Sequence, residues 1–365
     1  MKHRWLACGS LGTLLLCGGC WETWDIGVDG THGVMLEDVE FQPGVTVDVF
    51  VNVYGDLDVI DERSDLGSCQ LAVHGGVFAA ASWRPYAEAL GDGHCVLSAD
   101  MPVRGNSGVP VGGQLGDLDL HDYVEALDEI LTRLNDMDVE PKTILGHSMG
   151  GTLVQMLQQR LVNEGSSLEK RFDIDEAILV ASDLPAEVPW ALGDSGNLTG
   201  LIDAYAVDDP VHGLLFEIPV ELWPAFYFTD LEGQVVPGAL TPEEIEAGGF
   251  NALGEPLQAI HQLNGTGGFG SRPSAGANLF LDDTRLRVIA YEQDVYVQLA
   301  ESETLYQHLT GDEDSHCYVP VLGADTVHTL QFSNPQALVD AIAASEGCDY
   351  PHDDDDEDED EDDED

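Results

Sequence analysis

Gly146-His147-Ser148-Met149-Gly150 is the segment of this 365-residue chain whose residue types and spacing point most directly to chemistry. It follows a short apolar run, Thr143–Leu145, and opens a stretch with helical spacing, Thr152–Val162. Glycines on both sides of a serine permit a sharp strand-to-helix turn, which projects the hydroxyl from the carboxyl end of the strand. The N-terminus of the helix that follows then stabilises negative charge developing nearby. An unaided hydroxyl is a weak nucleophile. It needs a base to accept its proton and an acid to orient that base, so a histidine and a carboxylate must meet Ser148 from elsewhere in the chain.

The elements that would bring them there are legible as periodicities. Val45, Val47, Val49, Val51 and Val53 alternate as a strand with one buried face. From about residue 69, short apolar runs alternate with helical periods: Cys69–Val73, a helix around Trp83–Leu90, Cys95–Ala99, and a helix carrying Leu120, Tyr123, Val124, Leu127, Ile130, Leu131 and Leu134. The strand before Ser148, the helix after it, and a further strand at Ala177–Ala181 continue the rhythm, which predicts a mostly parallel sheet with helices on both faces. Residues 186–284 interrupt it with a Pro-, Gly- and Asp-rich stretch read as an inserted cap, whose Trp190, Trp223, Phe226, Tyr227 and Phe228 are candidates to line an acyl or alcohol pocket, with the cap's own core as the alternative place for any one of them. The rhythm resumes with Leu286–Tyr291, Leu299–Leu309, Tyr318–Leu322 and Pro335–Ala344. The domain so defined spans 45–350, after an N-terminal linker at 20–44.

With these elements in place, residues from about 45 to 346 resemble the α/β-hydrolase family. The resemblance rests on the Ser148 turn, on His74-Gly75-Gly76 after the strand Gln70–Val73, and on Asp100-Met-Pro-Val-Arg-Gly-Asn-Ser107, similar to the family's D-x-P-G-x-G-x-S turn but with Val103 where Gly is usual. It implies the α/β-hydrolase fold, a Ser, acid, His order along the chain, and oxyanion donors at the backbone N–H groups of Gly76 and Met149. By the same match the base is His328, just after the late strand, whereas His316 would lie at that strand's other end. The acid is Asp294, at the family's G-x-x-D position with Tyr291 replacing the Gly; Asp183, after Ala177–Ala181, is the alternative acid. The resemblance also implies two disulfides, Cys69–Cys95 and Cys317–Cys348, because each pair falls at one end of neighbouring elements.

Composition sets the outer limits. There are 69 acidic against 13 basic residues, a formal net charge of −56, which repels phosphate backbones and excludes nucleic-acid binding and adhesion through basic patches. Asp353–Asp365 is uninterrupted acid, so residues 351–365 are expected as a disordered, solvating tail with weak affinity for divalent cations. The N-terminus carries Lys2, His3 and Arg4, then the apolar Leu6–Leu16, then Gly18, Gly19 and Cys20. That pattern is an export signal over 1–19 with Cys20 as the acylated first residue of an envelope lipoprotein, plain secretion being the second reading. The four cysteines outside it match no zinc spacing, and neither metal nor cofactor is expected. A carboxylic-ester hydrolase, using a small-molecule ester, is the leading reading. A small-peptide or amide hydrolase of the same fold and a non-catalytic, cation-binding envelope lipoprotein stand beside it.

Overall fold

A computed structural model describes residues 25–26, 31–57, 63–194, 198–250, 254–266, 272–280, 284–311 and 316–344. In chain order its strands are β1 (Asp25–Ile26), β2 (His32–Gln42), β3 (Val45–Gly55), β4 (Gln70–Val73), β5 (Cys95–Ala99), β6 (Thr143–His147), β7 (Glu176–Val180), β8 (Ala206–Asp209), β9 (Gly213–Phe216), β10 (Glu255–Pro256), β11 (Arg285–Tyr291) and β12 (Cys317–Val321). Nine form one sheet in the order β1-β2-β3-β5-β4-β6-β7-β11-β12. Neighbours from β5 to β12 are parallel, and β1, β2 and β3 add to β5 as an antiparallel extension. This is the α/β-hydrolase fold expected from the sequence.

The parallel strands are apolar along their whole length because helices cover both faces of the sheet. Alternate residues point to opposite sides: Ile144 and Val288 join a core with helices Leu120–Asn135 and Met149–Asn163, while Leu145 and Ile289 join one with Arg84–Leu90 and Pro335–Ala343. Helix Leu120–Asn135 begins where Asp119 accepts hydrogen bonds from the N–H groups of His121 and Asp122, and its predicted apolar stripe is the buried face. Between β7 and β11 the chain leaves the sheet. It forms a small antiparallel sheet, β10-β9-β8, with short helices that include Ala191–Asp194, Trp223–Tyr227 and Leu257–Asn264.

The expected linker at 20–44 needs correction over its second half, since His32–Gln42 pairs along β3. Val34 and Leu36 are buried, then the register shifts near Asp38, which has φ 57°, and burial resumes at Val39 and Phe41. The bulge inserts a residue between two buried pairs and so breaks the period-two pattern by which a strand is recognised. Two further expectations, the signal with Cys20 and the tail Asp353–Asp365, lie outside the described residues. Among the described residues no helix is long and apolar enough to cross a membrane.

Cys69 and Cys95 are joined, with Cα atoms 4.7 Å apart, where β4 and β5 begin side by side. Cys317 is also disulfide-bonded, and Cys348, its expected partner, lies outside the described residues. The Cys69–Cys95 bridge closes a loop with a sequence separation of 26. Replacing both cysteines with serine should lower the unfolding free energy by roughly 3–4 kcal/mol, measured by urea denaturation. A change within about 0.5 kcal/mol, the scale of an ordinary surface substitution, would contradict a stabilising role.

Candidate active site

Ser148 ends β6 and immediately precedes helix Met149–Asn163. Its backbone has φ 52° and ψ −123°, far from helix or strand, so the turn is strained and aims the side chain outward. The turn is also crowded: a Cβ on Gly150 would lie 2.3 Å from the Val73 carbonyl oxygen of neighbouring β4. Only glycine lets the helix start this close to the adjacent strand.

Three side chains form a hydrogen-bonded chain across the carboxyl ends of the strands. His328 Nε2 lies 3.0 Å from Ser148 Oγ, and its Nδ1 lies 2.9 Å from Asp294 Oδ2. Asp294 is fully buried, and its other oxygen accepts from the N–H groups of Tyr296, at 2.8 Å, and Val297, at 3.1 Å. These donors fix the carboxylate, which holds Nδ1–H and leaves Nε2 as the acceptor facing the serine. Burial alone would depress the imidazole. The adjacent Asp294, acting as a charge and as an acceptor, outweighs burial and raises His328 above its ordinary value, with a smaller push from Asp183.

Asp183, the alternative acid, lies on the other side of the hydroxyl. Its Oδ2 is 3.3 Å from Ser148 Oγ, and among the described residues it makes no hydrogen bond with His328. Burial raises its carboxyl to about 6 against a smaller downward pull from His328. His316, set aside in the sequence, instead accepts from the Leu286 N–H at 2.9 Å, remote from Ser148.

Supporting residues that the motifs did not reveal surround this chain. His147 Nε2 is 2.8 Å from the His328 carbonyl oxygen, and its Nδ1 is 3.2 Å from Gln331 Nε2. Burial and then the neighbouring His328 hold His147 well below its ordinary pKa, so it is neutral and donates from Nε2 to that carbonyl. The Tyr296 ring sits 4.8 Å from the His328 ring and confines it from the side.

A cavity opens at Ser148, lined largely by apolar side chains that include Trp190, Ile202, Phe216, Phe226 and Ile260. Of the aromatic residues expected there, Trp190, Phe226 and Tyr227 line it. Trp223 and Phe228 do not: Trp223 packs on Phe78 and Tyr227, and Phe228 on Phe332, as parts of the apolar core beneath. Gly76 also lines the cavity, and a Cβ there would touch Met149 Sδ at 3.5 Å, so the loop after β4 lies against the helix start. Among the described residues no group of three or more His, Cys, Asp and Glu side chains could hold a metal ion.

That loop is held by an ion pair reaching in from the chain between β7 and β11. Glu255 Oε2 accepts from the Val77 N–H at 2.8 Å and pairs with Arg104, and both charged side chains are fully buried. Val77 has φ 59°, costly for a β-branched residue, so the loop needs this restraint. Val103, the departure from the family's turn, adopts φ 60°, and the bend survives although the residue is not glycine. The Asp100 carboxylate anchors that turn by accepting from the N–H groups of Ala80 and Asn106. Glu255→Gln should destabilise the fold by about 3–5 kcal/mol, because it leaves Arg104 buried without a counter-charge. A urea midpoint close to wild type would show that the pair is not an anchor.

Comparison with known proteins accords with this geometry. No curated protein matches the sequence. Solved structures share the architecture at low identity. A bromoperoxidase from Bacillus anthracis is 12% identical, with TM-score 0.53, over 85% of this chain and 98% of that one. An esterase from Thermogutta terrifontis is 16% identical, with TM-score 0.52, over 85% and 97%. The thioesterase domain of the curacin biosynthetic pathway is 16% identical, with TM-score 0.51, over 85% and 99%. At such identities the likeness is one of fold. Residues 71–341 match the sequence family described as the alpha/beta hydrolase family, a span that holds Ser148, Asp294 and His328, and the chain belongs to that family.

Proposed function

We propose that the protein is a serine hydrolase that cleaves carboxylic esters through an acyl-enzyme. The observation that carries this reading is the continuous hydrogen-bonded chain from Ser148 through His328 to Asp294 at the mouth of an apolar cavity. His328 takes the Ser148 proton as the oxygen attacks the ester carbonyl, and Asp294 stabilises the imidazolium so formed. Backbone N–H groups of Gly76 and Met149 receive the oxyanion, each contributing about 2.7–4 kcal/mol to the transition state. His328 then returns the proton to the leaving alcohol and activates the water that frees the acid. The reading includes attachment of the mature chain to a membrane through acylated Cys20. An unmodified N-terminus at any other residue would refute that attachment.

Ser148→Ala and His328→Ala should each lower kcat/KM on short p-nitrophenyl esters roughly 10,000-fold or more, since the three groups act as a unit. Wild-type rates in Ser148→Ala would refute the mechanism. Comparable turnover of the matching anilide would favour an amide hydrolase over an esterase.

The pH profile supplies a second test. His328 must be neutral to accept the proton, so activity should fall as pH drops through a pKa above the ordinary histidine value. Asp294→Asn removes the charge that raises that pKa and should shift the acid limb to lower pH while reducing the plateau. An unmoved limb would assign the titration to another group.

A further inference from the structure

Asp183 is a buried carboxylate that the triad does not use. It follows β7, is 6% exposed, and lines the cavity beside the nucleophile. Among the described residues its side chain makes one hydrogen bond, with the Ser148 hydroxyl at 3.3 Å, and forms no salt bridge. Gln155 reaches its backbone oxygen and leaves the carboxylate alone. Among the described residues the remaining lining is apolar apart from Ser148, Asn264, Tyr227, Tyr296 and His328 and includes no lysine or arginine; Arg272, which is not part of that lining, has the smallest influence on the carboxyl of the neighbouring groups. A carboxylate in such a wall is costly unless a donor or a cation meets it.

Its position also works against the chemistry of the triad. Ser148 has one hydroxyl proton and two acceptors, His328 Nε2 at 3.0 Å and Asp183 Oδ2 at 3.3 Å. A proton donated to Asp183 is not aimed at the base. Negative charge here further opposes the oxyanion that forms on the same carbonyl. One partner resolves both conflicts: a cation that occupies the carboxylate when substrate binds. At neutral pH the carboxyl, raised to about 6, is largely ionised and able to receive it.

We propose that Asp183 is a specificity residue that binds an ammonium group on the acyl portion of the substrate, next to the scissile carbonyl. With the carbonyl oxygen turned to the oxyanion donors and the leaving oxygen to His328, the acyl α-position is the remaining substituent on the carbon attacked by Oγ and the one left to approach Asp183, 3.3 Å from that oxygen. The apolar wall of Trp190, Ile202, Phe216 and Ile260 would take an apolar side chain on the same carbon. The substrate class is therefore an ester of an apolar α-amino acid with a free amine. The net charge of −56 draws such cations toward the molecule. This inference rests on the hydrolase reading.

The test compares benzyl L-alaninate with benzyl propanoate at a pH of about 7, where the amine is mostly protonated. Wild type should prefer the alaninate by about 10- to 100-fold in kcat/KM, the scale of a hydrogen bond to a charged group. Asp183→Asn should bring that ratio close to one; any effect on both rates through Ser148 cancels in the ratio. Equal wild-type rates on the two esters, or a ratio kept in Asp183→Asn, would overturn the proposal. A measurement on the wild type alone covers the case of a variant that does not fold. Protonated leucinol should inhibit about tenfold or more better than 4-methylpentanol, and equal inhibition would overturn the proposal. Hydrolysis of both esters without preference leaves the hydrolase reading intact, whereas hydrolysis of neither refutes that reading itself.

Discussion

The strained backbone at Ser148 is the constraint on which the rest of the structure depends. At φ 52° and ψ −123° the residue avoids both β6 and the helix it precedes, and its side chain makes no capping hydrogen bond to the helix that would favour that conformation. It persists because its surroundings are over-determined: β6 is paired with β4 on one side and β7 on the other, and every residue of the helix from Met149 to Gln158 is buried. The same geometry explains why the site lies where it does. A hydroxyl thrown out at the carboxyl end of a central strand is met by groups that follow other parallel strands of the same sheet. Asp183 after β7, Asp294 after β11 and His328 after β12 are those groups.

Hydrogen bonding then differentiates two buried carboxylates with the same chemistry. Asp294 has two backbone N–H donors and an imidazole to satisfy its charge. Among the described residues the Asp183 side chain is hydrogen-bonded by the serine hydroxyl alone, and burial lifts its carboxyl to about 6 against smaller pulls from His328, Ser148 and Arg272. Environment, not residue type, makes the first a fixed counter-ion and leaves the second to be completed by a ligand.

Much of this was legible in the sequence, for physical reasons that can be named. The Ser148 turn announces itself because its glycines and serine are contiguous. The parallel strands do so because both their faces are buried, and helix Leu120–Asn135 because its apolar stripe and Asp119 cap agree. What escaped depends on contacts between distant segments. Glu255 meets Val77 across 178 positions, in a stretch whose composition marks only a departure from the sheet. His147 was hidden inside the motif itself, where its role follows from a carbonyl 181 positions away. Strand β2 was lost to a bulge, which shifts the alternation by one residue. Trp223 and Phe228 show the limit of composition: aromatic residues in an insertion belong as readily to its own core as to a pocket.

The central claim, that Ser148 is an activated nucleophile, is tested most directly by reaction with a fluorophosphonate and peptide mapping of the adduct. Phosphonylation needs a serine whose proton has been taken by a base, and it requires no knowledge of the substrate. The account predicts a single stoichiometric adduct on Ser148, lost in Ser148→Ala and greatly slowed in His328→Ala. A folded wild-type protein that does not react, or that carries the label on another residue, would contradict it.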